Sequence, residues 1–165
     1  MDRHRVLRSY VAEFSLPASP DRELERPDRR MVATVDTHDT PPFAAFLAGR
    51  GDQVTDALRR AGWSETLDSD QSELSELRAV LELLADSEAP AVLVALDDLV
   101  ARTEAQNVPG TGPAERPNWV LRLPVTLAAL GADPAVDDLL ASVQAHRLAS
   151  HAREIHRAEH EGIES

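Results

Sequence analysis

The sequence has 165 residues, enough for one domain with a hydrophobic core, and its apolar share of 42% argues against a chain that is disordered throughout. Its formal net charge of −12 would repel phosphate groups, which argues against a nucleic acid or an anionic membrane as partner. The sequence has no cysteine, so disulfides and thiolate metal sites are excluded.

Two segments near the start of the chain are predicted strands. Val6 to Leu16 alternates loosely between apolar and polar residues, which is typical of a strand. The charged, proline-rich segment 17–30 predicts an exposed loop. Met31 to Val35 predicts a second strand, which must end before Pro41-Pro42 because proline cannot donate ladder hydrogen bonds. The Thr37-His38-Asp39 triplet is thereby placed at the carboxyl end of a strand.

Apolar residues with helical spacing fill the middle of the chain. They predict one helix from Phe43 to Leu47 and another from Asp52 to Ala61. A third begins at Ser72 as N-cap, with one apolar stripe and with Glu82 facing water. Ala91 to Leu96 is apolar without alternation, which predicts a strand buried on both faces of a parallel sheet. The stripe of the third helix consists of Leu74, Leu77, Leu81 and Leu84.

The last third of the chain predicts a loop and two helices. The loop runs from Thr103 to Asn118, and a helix follows from Leu123 to Leu130. The final helix begins at Asp133 as N-cap with Pro134 in the first turn, and residues 146–165 predict a charged helix that frays at its end. The order of elements predicts an α/β fold with parallel strands.

The histidines of the final helix offer little support for a metal site. His156 and His160 have the spacing that places two imidazoles on one helix face. A solvated helix end is the better interpretation, because no acidic group nearby would support bound metal. We therefore expect neither a metal nor a cofactor.

The sequence also predicts where the protein is found. The N-terminal residues show no signal peptide, and the longest apolar run is too short to cross a bilayer. We therefore expect a soluble cytoplasmic protein.

Acidic side chains follow two of the predicted strands. His38 and Asp39 come after the second strand, and Asp97 and Asp98 come after the buried one. In α/β barrels the catalytic residues lie at this end of the strands. The His-Asp pair by itself has a second interpretation, in which Asp39 caps the helix that follows it.

Three segments, in order along the chain, resemble the signatures of the 4-α-glucanotransferases, also called amylomaltases or disproportionating enzymes. Val32 to Phe46, with the Thr-His-Asp triplet, is similar to the motif at the family's seventh barrel strand. Leu96-Asp97-Asp98-Leu99 is similar to the next signature, and Asn107 to Thr111 with Asn118-Trp119 to the one after it. The resemblance covers most of the chain, up to about Val143.

The resemblance implies a fold and an activity. Residues 1–145 would be the C-terminal part of a TIM (β/α)8 barrel, with about three of its eight strands and their flanking helices. The enzyme would be a retaining transglycosylase that moves α-1,4-glucan segments between maltooligosaccharides or starch chains, without a cofactor.

The resemblance also implies roles for single residues. Asp39 matches the third carboxylate of the family, which binds sugar hydroxyls and stabilises the transition state. His38 would donate a hydrogen bond to the same sugar. The loop around Asn107 either shapes the wall of the active site or merely turns the chain, and Trp119 either packs against the barrel or stacks on a sugar. The substrate-binding residues implied in this way are Thr37, His38, Asn107, Pro109 and Gly110.

Two further motifs of the family precede the region that is matched here, and neither is recognised in the sequence. The nucleophile lies in an Arg-x-Asp motif and the acid/base in a Gly-Glu-Asp motif, and the setting of Glu13 does not match the latter. We therefore expect the chain to be inactive alone, as a split or truncated product whose partner is the N-terminal half of the enzyme. The alternative is a non-catalytic barrel fragment that acts in binding or assembly.

Overall fold

Parallel strands and helices alternate along the computed structural model, which describes residues 6–16, 24–69 and 74–161. The predicted α/β class with a parallel sheet is confirmed. The N-cap predicted at Ser72 lies outside the described residues. None of the helices in these ranges combines the length and the apolar character that a membrane span requires.

The sheet has three strands in the order β1 (Arg8–Val11), β2 (Met31–Thr34) and β3 (Ala91–Leu93). Both pairs are parallel, so that Ser9 lies opposite Val32 and Val32 opposite Ala91. The carboxyl ends of the three strands therefore meet at one edge of the sheet. The helices are α1 (Ala12–Ser15), α2 (Phe43–Arg60), α3 (Ser64–Ser69), α4 (Ser75–Ala85), α5 (Leu96–Leu99), α6 (Leu127–Leu130) and α7 (Pro134–Glu161).

The first predicted strand is shorter than the sequence pattern suggested. The chain leaves the sheet after Val11 and forms the single helical turn of α1. The backbone N–H of Glu13 donates to the carbonyl of Val35 at 3.1 Å, which carries the chain around the end of β2. The strand prediction failed at Ala12 because Ala12 and Leu16 are buried through this helical turn and not through a longer ladder.

Helix α2 is continuous, although two separate helices were predicted. It runs through Gly49 and Gly51, each of which weakens a helix by about 1 kcal/mol relative to Ala. The buried side chains of Phe46, Val54 and Leu58 lie on both sides of the glycines and pack into one core. Tertiary packing along the whole helix therefore outweighs the local preference for a break.

The predicted apolar stripe of α4 is confirmed, since all four of its leucines are buried. This helix packs against the sheet, α2, α3 and α7. The prediction that Glu82 faces water is wrong, because α7 covers it. Its carboxylate accepts hydrogen bonds from the hydroxyls of Thr66, at 2.8 Å, and Ser142. A buried carboxylate is tolerated where donors replace its hydration.

Strand β3 is an edge strand in the described chain, and not the strand buried on both faces that the sequence predicts. It ends at Leu93, whose side chain is 56% exposed. The strand pairs with β2 on one side and with no described strand on the other. Its apolar residues are therefore left partly open to solvent.

The helices at the end of the chain begin at capping residues. Helix α6 starts four residues later than predicted, because Thr126 accepts a hydrogen bond from Ala129 N at 3.1 Å and Pro124 precedes it. Helix α7 begins as predicted, with Asp133 Oδ1 accepting from Ala135 N at 2.9 Å. It continues to Glu161, through the charged segment that starts at His146.

The packing of α4 predicts the effect of a core substitution. Leu81 is fully buried, so Leu81→Ala leaves a cavity, and we expect it to lower the free energy of unfolding by about 2–5 kcal/mol. Leu148→Ala, a matched control at an exposed position of α7, should change it by less than about 0.5 kcal/mol. Urea denaturation of both variants measures the difference. Equal losses would contradict the position of α4 in the core.

Candidate functional site

The Thr37-His38-Asp39 triplet forms a tight turn at the carboxyl end of β2. Thr40 N donates to Thr37 O at 3.0 Å, and Thr37 N donates to the hydroxyl of Thr40 at 2.9 Å. Asp39 N donates to the hydroxyl of Thr37 at 3.3 Å. These hydrogen bonds pair the polar groups of the turn with one another and do not involve the side chains of His38 and Asp39. Those two side chains point away from the sheet and are 64% and 55% exposed.

The fold brings four side chains together at this turn. Asn107 Nδ2 donates to Asp39 Oδ1 at 2.7 Å, across 68 positions of sequence. His38 Nε2 lies 3.5 Å from Asp39 Oδ2. The rings of His38 and Trp119 lie 5.4 Å apart between centroids, tilted by 48°. Trp119 is 61% exposed, so it packs beside the histidine and not in the core.

Hydrogen bonds of the Asn118 side chain fix the shape of the 105–119 loop, which contains Asn107 and Trp119. Asn118 Oδ1 accepts from Val108 N at 3.1 Å, and its Nδ2 donates to the hydroxyl of Thr111 at 3.1 Å. Arg116 donates to Asn118 Oδ1 at 3.2 Å and to the carbonyl of Ala105. Side-chain bonds thus replace regular secondary structure in this loop.

Backbone angles mark two positions of the same loop. Gly110 has a φ of +84°, which glycine adopts without strain. Pro109 and Gly110 form the exposed tip of a turn closed by Thr111 N and Val108 O at 3.2 Å. Trp119 has a φ of +63°, a conformation that costs a bulky residue free energy. The backbone N–H of Trp119 donates to the backbone carbonyl of Gln106 at 2.8 Å. This bond stabilises the conformation and keeps the indole beside His38.

A second group of acidic residues lies at the ends of the strands, with Glu13 and Asp98 buried and Asp36 half-buried. Each member follows one strand: Glu13 follows β1, Asp36 follows β2 and Asp98 follows β3. Glu13 and Asp98 are only 4% and 3% exposed. The strand-end position of Asp36 and Asp98 is a visible sequence signal, but their burial is not, because it depends on how the strands pair. We call these three residues the buried carboxyl cluster.

Burial shifts the protonation of the buried carboxyl cluster. Loss of hydration raises the pKa of Glu13 to about 7. Burial, and then the charges of Asp98 and Glu13, raise the pKa of Asp36 to about 8. Burial also raises the pKa of Asp98 to about 6, although the hydrogen bond from Phe43 N opposes the shift. The cluster therefore retains protons at neutral pH.

In the described ranges, no three His, Asp or Glu side chains are placed to hold a metal ion. The chemistry that this arrangement can perform is that of an exposed carboxylate, an imidazole and an amide beside an aromatic ring. Such groups bind hydroxyls and pack against the face of a sugar ring.

Comparison with known proteins gives a consistent result. The family model described as 4-alpha-glucanotransferase matches residues 1–127. The 4-alpha-glucanotransferases of Mycobacterium tuberculosis and Mycobacterium bovis are each 32% identical over an alignment of 134 positions, gaps included, and the match covers 67% of this chain and 18% of the relative. The chain thus spans about a fifth of the length of these curated relatives.

Solved structures share the fold of this chain. The amylomaltase of Corynebacterium glutamicum has a TM-score of 0.60 at 21% identity, over 83% of this chain and 25% of the amylomaltase. The amylomaltase of Streptococcus agalactiae in complex with acarbose has a TM-score of 0.57 at 16% identity, over 86% and 27%. The predicted resemblance is confirmed by these matches.

The buried carboxyl cluster predicts how stability depends on pH. All three folded pKa values lie above those of unfolded Asp and Glu, which are 3.8 and 4.5, so the folded chain binds more protons. The stability that these protons provide is complete below about pH 4 and is lost as the pH rises through 6 to 8.

Replacing one acid with its amide tests this dependence. Asn at position 36 can keep the contact with Asp98 and cannot ionise. Between pH 6 and pH 8 we therefore expect the free energy of unfolding to fall less in Asp36→Asn than in the wild type, with a difference of about 1 kcal/mol or more. Urea denaturation at both pH values measures the difference. Identical pH dependence of the two proteins would contradict the raised pKa values.

Proposed function

The chain belongs to the 4-alpha-glucanotransferase family, and we propose that it forms the C-terminal part of a TIM (β/α)8 barrel in a retaining transglycosylase. The substrates would be maltooligosaccharides or starch-type α-1,4-glucans. The observation that carries the proposal is the contact of Asp39 with Asn107, because it joins two of the family-like segments at the carboxyl end of a parallel sheet. Barrel enzymes place their active sites at this end.

The edges of the sheet support a larger barrel. The outer sides of β1 and β3 have no strand partner among the described residues. Phe14 beside β1, and Leu93 and Leu96 beside β3, are exposed apolar side chains. Open edges and apolar patches of this kind favour association with further strands. We propose that the N-terminal part of the enzyme supplies those strands.

Asp39 would act on the sugar at the point of cleavage. A retaining glycosidase needs a carboxylate nucleophile and a carboxylic acid about 5–5.5 Å apart, and passes through an oxocarbenium-like transition state. Asp39 would be a third carboxylate, which accepts hydrogen bonds from sugar hydroxyls that strengthen as the ring distorts. Oδ1 is already bound by Asn107, and the side chain is 55% exposed, so it is accessible to a sugar.

Neighbouring groups would complete the sugar site. His38 lies beside Asp39 Oδ2 and can donate to a hydroxyl of the same ring. Trp119 offers an exposed indole next to that imidazole. Asn107 would fix one oxygen of Asp39, and Thr37 shapes the turn that carries it. Pro109 and Gly110 would contribute through the turn that positions Asn107. The nucleophile and the acid/base would come from the N-terminal part.

Asp39→Asn tests the role of this carboxylate. In the enzyme reconstituted with its N-terminal part, we expect kcat on maltotriose to fall by about 100-fold or more, because a charged acceptor in the transition state is lost. Asp52→Asn, an exposed aspartate on α2, is the matched control and should retain the activity. Glucose release and the formation of longer glucans are measured. Near-normal turnover of Asp39→Asn would contradict the assignment.

A second experiment tests the need for the N-terminal part. We expect the 165-residue chain alone to show no transglycosylation, and co-expression with a polypeptide that carries the nucleophile and acid/base motifs to restore it. Activity of the pure chain would overturn this prediction. A stable complex without any activity would favour the alternative role in binding or assembly.

A further inference from the structure

The buried carboxyl cluster has no part in the chemistry proposed above, yet it contacts both ends of the turn that carries Asp39. Asp36 precedes the turn, and its carboxyl lies beside the carboxyl of Asp98, where the two can share a proton. Phe43 follows the turn, and its backbone N–H donates to Asp98 Oδ1 at 3.1 Å. One buried side chain on a neighbouring segment therefore binds the entry and the exit of the turn.

Glu13 supplies a third point of attachment. Its carboxyl lies beside the side chain of Thr40, the last residue of the turn. Its backbone N–H donates to the carbonyl of Val35, just before the turn begins. Hydrogen bonds to other elements thus bound the segment at Val35 and at Phe43, and two carboxyls of the cluster lie against it in between.

The bond from Phe43 to Asp98 also starts helix α2. Pro42 is the N-cap residue of this helix and provides no capping hydrogen bond from its side chain. Asp98 accepts the first free N–H of the helix instead, from 55 positions further along the chain. The direction in which the chain leaves the turn is therefore fixed by a tertiary contact.

Burying three carboxyls is unfavourable unless they share protons or find donors. Outside the cluster, no described residue donates a hydrogen bond to Glu13 Oε1 or to Asp98 Oδ2. A protonated Asp36 can donate a hydrogen bond to Asp98 Oδ2. The proton also lowers the negative charge of the buried carboxyl cluster. The charged groups nearest to the cluster are Asp97 on α5 and Arg50 on α2.

We propose that Asp98 and Glu13 are positioning residues for Asp39, because their carboxyls hold the Asp36–Phe43 segment and so fix Asp39 opposite Asn107. The catalytic consequence of this inference rests on the proposed function, whereas its structural part does not. Ionisation of the cluster would place like charges side by side and remove the proton that joins Asp36 to Asp98. The contact of Asp39 with Asn107 should then weaken as the pH rises.

The side-chain amide of Asn107 reports on this contact without any catalysis. Its two N–H signals are followed by NMR in the complete ¹⁵N-labelled chain, and Asn107→Ala identifies them. We expect Asp98→Ala to move both signals to the positions of a solvated amide. Asp98→Asn should keep them in place, since its amide oxygen accepts from Phe43 N and its NH2 donates to Asp36.

Control measurements keep this test decisive. Glu82→Gln removes a different buried carboxyl, on α4, and should leave the Asn107 signals unchanged. If Asp98→Ala does not fold, the wild type alone supplies the test, since its Asn107 signals should move between pH 6 and 8. Those of Asp98→Asn should move less. Signals that are the same in wild type and Asp98→Ala, or insensitive to pH in a folded wild type, would overturn the proposal.

Activity of the reconstituted enzyme separates this inference from the proposed function. We expect Asp98→Ala to lower kcat at least tenfold with little change in KM, and Asp98→Asn to restore most of it with an altered pH profile. If Asp39→Asn were fully active while the Asn107 signals still depended on Asp98, the proposed function would fail and the positioning role would stand. Unaltered kcat and pH profile in Asp98→Ala, with Asp39→Asn inactive, would overturn the positioning role alone.

Discussion

Parallel pairing of three short strands determines where the acidic groups of this site lie. The strands are only three or four residues long, but their shared direction brings the residues that follow them to one edge. Glu13, Asp36 and Asp98 meet there although they come from distant parts of the sequence. An antiparallel strand in the middle would send Asp36 and the turn with Asp39 to the opposite edge.

The polar groups at this edge form two layers with different physical properties. The outer layer consists of His38, Asp39 and Asn107, in which the side chains of His38 and Asp39 are open to solvent and Asn107 donates to Asp39. The inner layer is the buried carboxyl cluster, in which protons replace external donors. The turn from Thr37 to Thr40 connects the layers, so displacement of the inner one is transmitted to Asp39 over a few bonds.

Features that depend on the local sequence pattern could be predicted, whereas features that depend on tertiary contacts could not. The prolines after Asp39 and the β-prone residues before it were enough to place the triplet at a strand end. The contact of Asp39 with Asn107 spans 68 positions and was not predictable from spacing. Glu82 was misassigned for the same reason, since its polar character says nothing about the hydroxyls that α7 brings to it. Patterns describe one element, whereas these contacts depend on the packing of two or three.

An inner layer that keeps its protons also limits the negative charge at this edge of the sheet. The chain carries a net charge of −12, and three ionised acids at one edge of the sheet would repel one another. Because burial raises the pKa of Glu13 and Asp36 to about 7 and 8, much of that charge is absent near neutral pH. The same carboxyls that hold the turn in place therefore also limit the negative charge beneath it.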